Sequence, residues 1–260
     1  MERDNTVGDH IFLNTVVANE KGESCFADKS LPYDKTLGPL RQSSVIPASQ
    51  IVFNLWPKGF DENITECNGP MIILMLEGCA DFIVSSGESR VLKPGDVLEY
   101  ADPKRTKLKL RALRSQEFRT AVIYLDQSLK LLFNNIDDKK SKRSLPFVRN
   151  ITGEDERSHF HDGELEYYER VNQSLFTKAI SIKQFQYVYA AADLRYDFHN
   201  APQRQIVLPL TGGTQGENGD GSRRVIPVGG VYFGEDVTGE GHITSAVNDA
   251  IRFSIFAHLS

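Results

Sequence analysis

The residues of this sequence most able to do chemistry are its histidines and their polar neighbours. His159 and His161 stand two positions apart, and Glu164 follows three residues later. Imidazole and carboxylate groups together are ligands for first-row transition metals. Because imidazole titrates near neutral pH, a histidine in a cavity could also transfer protons.

A second polar group begins at His199 and continues through Gln203, Arg204 and Gln205. If the strand that carries Arg204 is bulged, its guanidinium could pair with a substrate carboxylate or phosphate. With regular alternation it points to the opposite side from Gln205 and bridges to an acid such as Asp236 at the rim. The candidate substrate-binding residues in this group are Gln203, Arg204, Gln205 and Asp236.

Two tyrosines offer a different kind of surface. Tyr187 and Tyr189 alternate with Gln184, Gln186 and Val188 in the segment KQFQYVY. One of the two sets must line the interior of a barrel, and a tyrosine lining would suit an aromatic or polyol ligand. The alternative is that the tyrosines pack in a core.

Composition narrows the classes of partner. The chain has 260 residues, 40% of them hydrophobic, and a formal net charge of −5. Without a broad basic surface we expect a small-molecule ligand and no nucleic acid. No run approaches the roughly 20 apolar residues of a membrane helix, so we expect no membrane. Three cysteines, Cys25, Cys67 and Cys79, leave at least one unpaired and predict a reducing, cytoplasmic location.

The elements that must position these residues are repeated. Shifted by 134 positions, the sequence matches itself without a gap over most of its length, so that Gly78 falls on Gly212 and Gly95 on Gly229. Matching glycines indicate shared backbone geometry. We therefore predict two copies of one domain, over 1–126 and 146–260, with the charged segment 127–145 as an exposed linker.

Each copy consists of short segments rich in β-branched and aromatic residues, separated by turns such as KPGD and ADP. This pattern predicts an all-β sandwich or barrel per copy. Helix is plausible only in SLKLLFNN at 128–135 and in GELEYYERVNQSLF at 163–176. The repeat aligns His159 and His161 with Cys25 and Ala27 in an opening strand, which argues against a metal site there.

Two turns per copy carry a family resemblance. The first copy has LEG at 76–78 and LKPGDVL at 92–98, and the second has LTG at 210–212 and IPVGGVY at 226–232. This pattern resembles the RmlC-like cupin superfamily. The C-terminal half, including DFHNAPQRQIVLPLTGG, is similar to uncharacterised bacterial single-domain cupins. The resemblance implies two tandem jelly-roll β-barrels, a bicupin.

Cupins usually hold a divalent metal with two histidines, a carboxylate and a third histidine. The resemblance implies that His199 takes the first histidine position and His242 the last, while Gln205 replaces the carboxylate and Gln203 assists. It implies one Fe, Mn, Zn or Ni ion in the C-terminal barrel, weakly held because glutamine is neutral. The alternative is that both histidines hydrogen-bond across the barrel mouth and orient Gln205 and Asp236 without an ion.

The N-terminal copy has Thr65, Pro70, Met71 and Leu108 at the positions of His199, Arg204, Gln205 and His242. None is a usual ligand, so we expect no metal there and a structural role for that barrel. A homodimer through sheet faces is a candidate assembly.

Two functions stay open. One is an enzyme using metal-assisted oxygenase, isomerase or lyase chemistry, with His199 and His242 as catalytic residues. The other is a non-catalytic ligand-binding, sensory or storage-like protein without metal.

Overall fold

A computed structural model describes residues 10–64, 69–113, 116–125, 139–170 and 173–260. Within these ranges the chain forms 24 strands and no helix, and so no helix that could cross a membrane. The strands are β1 His10–Ala18, β2 Ser24–Pro32, β3 Lys35–Leu37, β4 Leu40–Gln42, β5 Ile46–Pro47, β6 Gln50–Trp56, β7 Asp61–Asn63, β8 Met71–Glu77, β9 Ala80–Val84, β10 Ser89–Leu92, β11 Val97–Tyr100, β12 Leu108–Ala112, β13 Phe118–Tyr124, β14 Lys140–Thr152, β15 Ser158–Glu169, β16 Leu175–Thr177, β17 Ile180–Ala190, β18 Arg195–His199, β19 Gln205–Pro209, β20 Thr214–Asn218, β21 Arg223–Ile226, β22 Tyr232–Glu235, β23 His242–Ser245 and β24 Arg252–Leu259.

Each half of the chain is a jelly-roll barrel made of a large and a small sheet. In the N-terminal barrel, strands in the order β2-β1-β11-β8-β13-β6 accompany the small sheet β10-β9-β12-β7. In the C-terminal barrel, β15-β14-β22-β19-β24-β17 accompany β18-β23-β20-β21. The predicted all-β, jelly-roll class is confirmed.

The strand positions follow the sequence repeat. Equivalent strands begin 134 positions apart in the pairs β8 and β19, β9 and β20, β12 and β23, and β13 and β24. The hydrogen-bonding partners also correspond, because β8 lies between β11 and β13 as β19 lies between β22 and β24. Two copies of one strand arrangement therefore stand in one chain.

The large sheets of the two barrels pack against each other. In β8 and β19, residues facing outward from the barrels join a core shared by the two halves, the seam: Ile72, Leu74, Leu76, Ile206 and Leu208. The alternate residues of β8, Met71, Ile73 and Met75, lie inside the N-terminal barrel. Such strands are buried on both faces, which explains their almost continuous apolar sequence.

Two glycines lie where the barrels approach each other closely. A Cβ added at Gly229 would lie 2.2 Å from the Leu76 carbonyl oxygen, and one at Gly95 would lie 3.1 Å from the Leu210 carbonyl oxygen. The two contacts are equivalent, because Leu210 follows Leu76 by 134 positions, as Gly229 follows Gly95. The seam is thus arranged about a local two-fold axis.

The halves also exchange short strands. The hairpin β3–β4 of the first half pairs through β4 with β17 of the second half. Reciprocally, β16 of the second half pairs with β6 of the first. Each barrel is therefore completed by a segment from the other half of the chain.

Strands lie in two segments, 163–176 and 127–145, where the sequence predicted a helix and a linker. The described residues of 163–176 are not helical and lie mainly in β15 and β16, which pair with β14 and with β6 of the N-terminal barrel. Strand β14 begins at Lys140, inside the segment 127–145 that we expected to be a linker. The expected helix at 128–135 lies outside the described residues.

Candidate functional site

The C-terminal barrel encloses a cavity of about 160 Å³. Its volume is close to that of an engineered cavity of about 150 Å³ that accommodates benzene. Most of its wall is apolar, formed by Leu40, Phe160, Leu194, Val207, Ile226 and Phe256. Polar side chains, among them His199, Gln205, His242 and Arg252, also line the cavity, and an apolar pocket with polar groups in its wall is typical of a small-molecule site.

The two histidines predicted from the sequence lie together on the cavity wall. His199 ends β18 and His242 begins the neighbouring strand β23, where the two residues are paired. Their ring centroids are 4.6 Å apart. Gly241 has φ +77°, and a Cβ there would lie 2.3 Å from the His199 carbonyl oxygen, so the close approach of these strands requires glycine.

Hydrogen bonds determine which nitrogen of each ring carries the proton. The Nδ1–H of His199 donates to the Asp197 carbonyl oxygen at 2.7 Å. The Nδ1–H of His242 donates to Oδ2 of Asp236 at 2.6 Å. In the neutral rings, the remaining Nε2 atoms are therefore hydrogen-bond acceptors.

Asp236 is fully buried behind His242. Besides the histidine, its Oδ2 accepts hydrogen bonds from Ser158 Oγ at 2.9 Å and Asn150 Nδ2 at 3.2 Å. Asn150 is in turn bonded to Asn218 of β20. This network holds the carboxylate in place and, through it, the orientation of the His242 ring.

His199 is neutral in this environment. Burial lowers the pKa of its imidazole to about 4, and the nearby His242 and Arg252 add to the effect. At neutral pH, the His199 ring therefore presents a lone pair to the cavity and not a positive charge.

Arg252, which we did not single out in the sequence, also lines the cavity. It opens β24, is only 2% exposed, and donates from Nη1 to Thr214 Oγ1 of β20. Its Nε is buried without a hydrogen-bond partner. Burial lowers the pKa of this guanidinium to about 10, so it keeps its charge at neutral pH.

Gln205 opens β19 and points into the cavity, as predicted. Its side-chain Oε1 is buried and has no hydrogen-bond partner. Alternation along β19 explains the direction, since Gln205 and Val207 face the cavity while Ile206 and Leu208 face the seam. An unpaired polar atom in this position is available to a ligand.

The N-terminal half contributes to this site through its exchanged hairpin. Leu37, Leu40 and Gln42 line the cavity from β3 and β4. Next to them, Tyr196 stacks on His199 with ring centroids 3.9 Å apart. From its missing metal ligands we expected a purely structural role for the first half. The structure shows that it also forms part of the cavity wall.

The residues of the cavity fit a tightly bound divalent metal poorly. They supply two imidazoles and neutral amides such as Gln205, with the cationic Arg224 and Arg252 in the same wall. Among the described residues, no group of three or more His, Cys, Asp or Glu side chains is placed to hold an ion. Asp236, the nearest carboxylate behind the histidines, is already engaged by His242, Asn150 and Ser158.

The predicted tyrosine wall is wrong. Tyr187 is fully buried in the seam, where it stacks on Phe253, and Tyr189 packs against Tyr33. The alternate face of β17 places Gln186 in the cavity wall instead. Tyr187 belongs to the seam because the large sheet has an apolar partner on its outer face, and Tyr189 lies on the same face of β17.

Gln203 and Arg204 also lie away from the cavity wall. Gln203 donates to Nδ1 of His258 at 2.8 Å, and Arg204 is an exposed residue whose Nε donates to Glu235 at 2.8 Å. The acid bridged by Arg204 is therefore Glu235 and not Asp236. Asp236 contacts His242 and is not itself on the cavity surface.

The tempting pair His159 and His161 lies in strand β15, as the repeat indicated. His159 is hydrogen-bonded to Asp155 at the surface, while Phe160, between the two histidines, lies in the cavity wall.

The N-terminal barrel has a smaller cavity lined by Met71, Trp56 and Leu110 among others, and Leu108 is buried in its core. Thr65 lies outside the described residues.

Arg252 had a sequence signal that we did not use. In the repeat it falls on Phe118, which is buried in the N-terminal core. A charged residue at a position that is apolar in the other copy indicates a function particular to one barrel.

No family model matches the chain, and no curated protein matches it in sequence. Similar solved structures include a cupin 2 conserved barrel domain protein from Leptotrichia buccalis, with 12% identity, 87% of this chain and 91% of that chain covered, and a TM-score of 0.44. Others are a putative glyoxylate induced protein from Pseudomonas aeruginosa (9%, 87% and 84%, TM-score 0.41) and a mutant oxalate decarboxylase from Bacillus subtilis (10%, 87% and 74%, TM-score 0.31). At these values the similarity assigns no ligand and no activity to this chain.

Proposed function

We propose that this chain, a double barrel of the cupin fold, binds a small organic molecule in its C-terminal barrel without a tightly held metal. The observation that carries the proposal is the cavity of about 160 Å³, in which buried, unpaired polar atoms of Gln205 and Arg252 stand in an apolar wall. Buried polar groups without partners are costly unless a ligand satisfies them.

The arrangement supplies both parts of ligand recognition. The apolar wall accommodates a hydrocarbon body of roughly the size of a benzene ring. Arg252 donates hydrogen bonds, whereas the Nε2 atoms of His199 and His242 accept them from groups such as a hydroxyl.

Metal content and ligand binding can be measured on the same preparation. In protein purified without added metal, we expect elemental analysis to find far less than one transition-metal ion per chain. A near-stoichiometric metal that disappears in the double variant His199→Ala, His242→Ala would contradict the proposal.

Binding itself can be followed as thermal stabilisation by benzoate and by benzamide. A ligand at 100 times its dissociation constant stabilises the folded state by about 2.7 kcal/mol. Gly234 lines the cavity, and a Cβ there makes only ordinary contacts, so Gly234→Leu should fill the cavity without a backbone clash. We expect this variant to lose the stabilisation. If no compound stabilises the wild type, the proposal fails.

Asp236 and His242 favour a second candidate, proton transfer without a metal. The carboxylate accepts the Nδ1–H bond at 2.6 Å, which leaves Nε2 as a base and stabilises the imidazolium that forms when it takes a proton. A base of this kind would serve an isomerase or lyase that removes a proton next to a carbonyl group.

The proton-transfer candidate can be tested by solvent deuterium exchange into 2-oxobutanoate, followed by NMR. We expect the wild type to accelerate exchange and Asp236→Asn to reduce the acceleration by about 10²-fold or more. Arg204→Gln, outside the cavity, is the matched control. Equal rates in wild type and Asp236→Asn would exclude the pair as a base.

We propose a small molecule as the partner, with no nucleic acid or membrane, and a cytoplasmic location. The net charge of −5 supports the exclusion of nucleic acid as a partner. The predicted homodimer through sheet faces stays a prediction. Because the large sheets already pack on each other inside the chain, such a dimer would need other faces, and sedimentation would show whether the mass exceeds 29.2 kDa.

A further inference from the structure

We infer that the ligand of the C-terminal cavity is an organic carboxylate whose negative charge is placed against Arg252. This inference rests on the proposed binding function and adds the chemical class of the ligand. The residues that support it are Arg252, Thr214 and Gln205.

The first argument is the missing counter-charge. Arg252 is 2% exposed, and among the described residues no carboxylate lies within 4 Å of its nitrogens. Its one side-chain partner is the hydroxyl of Thr214. Taking a charge out of water without a partner is strongly unfavourable, so a buried arginine is normally paired. An anion in the cavity would supply the pair.

Asp236 does not fill this role. It accepts hydrogen bonds from His242, Ser158 and Asn150, and it lies behind His242 rather than on the cavity surface. Arg252 and Asp236 act on the His199 ring in opposite directions, since the arginine lowers the pKa of the ring and the aspartate raises it. Because Arg252 lines the cavity and Asp236 does not, the positive charge stands at the cavity and the negative charge behind it.

The second argument is the contrast with the other barrel. The position equivalent to Arg252 is Phe118, that of Thr214 is Ala80, and that of Gln205 is Met71. All three N-terminal residues are buried in an apolar core. The polar group has no counterpart in a barrel of the same strand arrangement, so the fold does not require it.

The size and wall of the cavity favour a carboxylate over a phosphate. About 160 Å³ admits a small body, and the wall beside Arg252 is mostly aliphatic and aromatic. A guanidinium binds a planar carboxylate through two parallel hydrogen bonds. Two arginines and no lysine line the cavity, and Arg224 already pairs with Asp162 at 3.5 Å, so Arg252 leaves one positive charge for a ligand.

The inference can be tested by calorimetric titration of the full chain with benzoate and benzamide, which differ mainly in charge. We expect benzoate to bind at least tenfold more tightly. In Arg252→Met, benzoate should lose at least tenfold in affinity while benzamide changes little. Arg204→Met, an exposed arginine outside the cavity, should leave both affinities unchanged. Thermal unfolding of each variant confirms that it is folded.

Each outcome is informative. Equal affinity for benzoate and benzamide, or a benzoate preference kept in Arg252→Met, would overturn the inference and leave the proposed binding function standing. Tighter binding of inorganic phosphate than of benzoate would overturn the carboxylate class. If neither benzoate nor benzamide binds, the proposed function fails, and the inference fails with it.

Discussion

Burial of Arg252 destabilises the folded state of the ligand-free protein. A buried guanidinium that has only a threonine hydroxyl as a partner loses its hydration without an ion pair in return. Residues of this kind persist where they serve a ligand, and they lower stability in its absence. Arg252, which we assign to ligand recognition, should therefore lower the free energy of unfolding when the cavity is empty.

We predict that Arg252→Met raises the free energy of unfolding by about 1–3 kcal/mol in ligand-free protein, because replacement of a buried charge by an apolar side chain is often stabilising. Urea unfolding measures this change. Arg204→Met should change stability by less than about 1 kcal/mol, since Arg204 is exposed and Glu235 keeps its ion pair with Arg149. A strongly destabilised Arg252→Met would indicate a structural role instead.

His258 links stability to pH. Burial lowers the pKa of its imidazole to about 4, with a further contribution from the charge of Lys183. Its Nδ1 accepts hydrogen bonds from Gln184 at 3.0 Å and Gln203 at 2.8 Å. Protonation of Nδ1 would break both bonds.

The sign of this pH dependence follows from the lowered pKa. The unfolded chain takes up the proton near pH 6.5 and the folded protein only near pH 4, so stability is complete above pH 6.5 and falls between 6.5 and 4. We predict a contribution of up to about 1.4 kcal/mol per pH unit from this residue. In His258→Asn, whose amide oxygen can replace Nδ1 as an acceptor, that part of the slope should vanish. The exposed variant His161→Asn should retain it.

At the scale of elements, the exchanged hairpin β3–β4 positions the stacked pair Tyr196 and His199. Gly38, at the turn of the hairpin, has φ +54°, and a Cβ there would lie 3.1 Å from the Tyr196 ring. The hairpin comes from the first half of the chain but supports a ring in the second.

We predict that Gly38→Ala shifts the NMR resonances of the His199 ring, because the displaced Tyr196 ring no longer stacks at 3.9 Å. Gly22→Ala is the matched control. Gly22 also has a positive φ, of +79°, but nothing within 4 Å of an added Cβ. Both variants should lose about 1–3 kcal/mol from backbone strain. Unchanged His199 resonances in Gly38→Ala would show that the hairpin does not hold the site.

At the scale of the whole molecule, the seam buries the outer faces of the two large sheets, which would otherwise be exposed to solvent. Strands β8 and β19 are buried on both faces, once in a barrel and once in the seam. The reciprocal contacts of Gly95 with Leu210 and of Gly229 with Leu76 support an origin by duplication, with the two copies packed about a local two-fold axis.

We predict that Gly229→Ala destabilises the protein by about 1–3 kcal/mol more than Gly221→Ala does. Both positions have positive φ, but only at Gly229 would a Cβ meet a backbone oxygen, that of Leu76 at 2.2 Å. Thermal or urea unfolding of the two variants measures the difference. An equal loss in free energy of unfolding in both variants would mean that the seam accommodates the added methyl group at Gly229 without destabilisation.

Much of this architecture can be predicted from the chain itself. The 134-residue repeat places equivalent strands, because glycines and alternating apolar residues reflect local backbone geometry. It also removed His159 and His161 from the site, and the family resemblance led to His199, Gln205 and His242, which the structure brings to one cavity.

The direction of the tyrosines, the role of Arg252 and the exchange of hairpins needed the fold. Alternation separates Tyr187 from Gln186, but it does not say which face is the barrel interior when both faces are buried. Likewise, the cost of burying Arg252 depends on which charges lie near it in space, and these come from distant strands. Local geometry is encoded in neighbouring residues, whereas burial and charge pairing are properties of the packed chain as a whole.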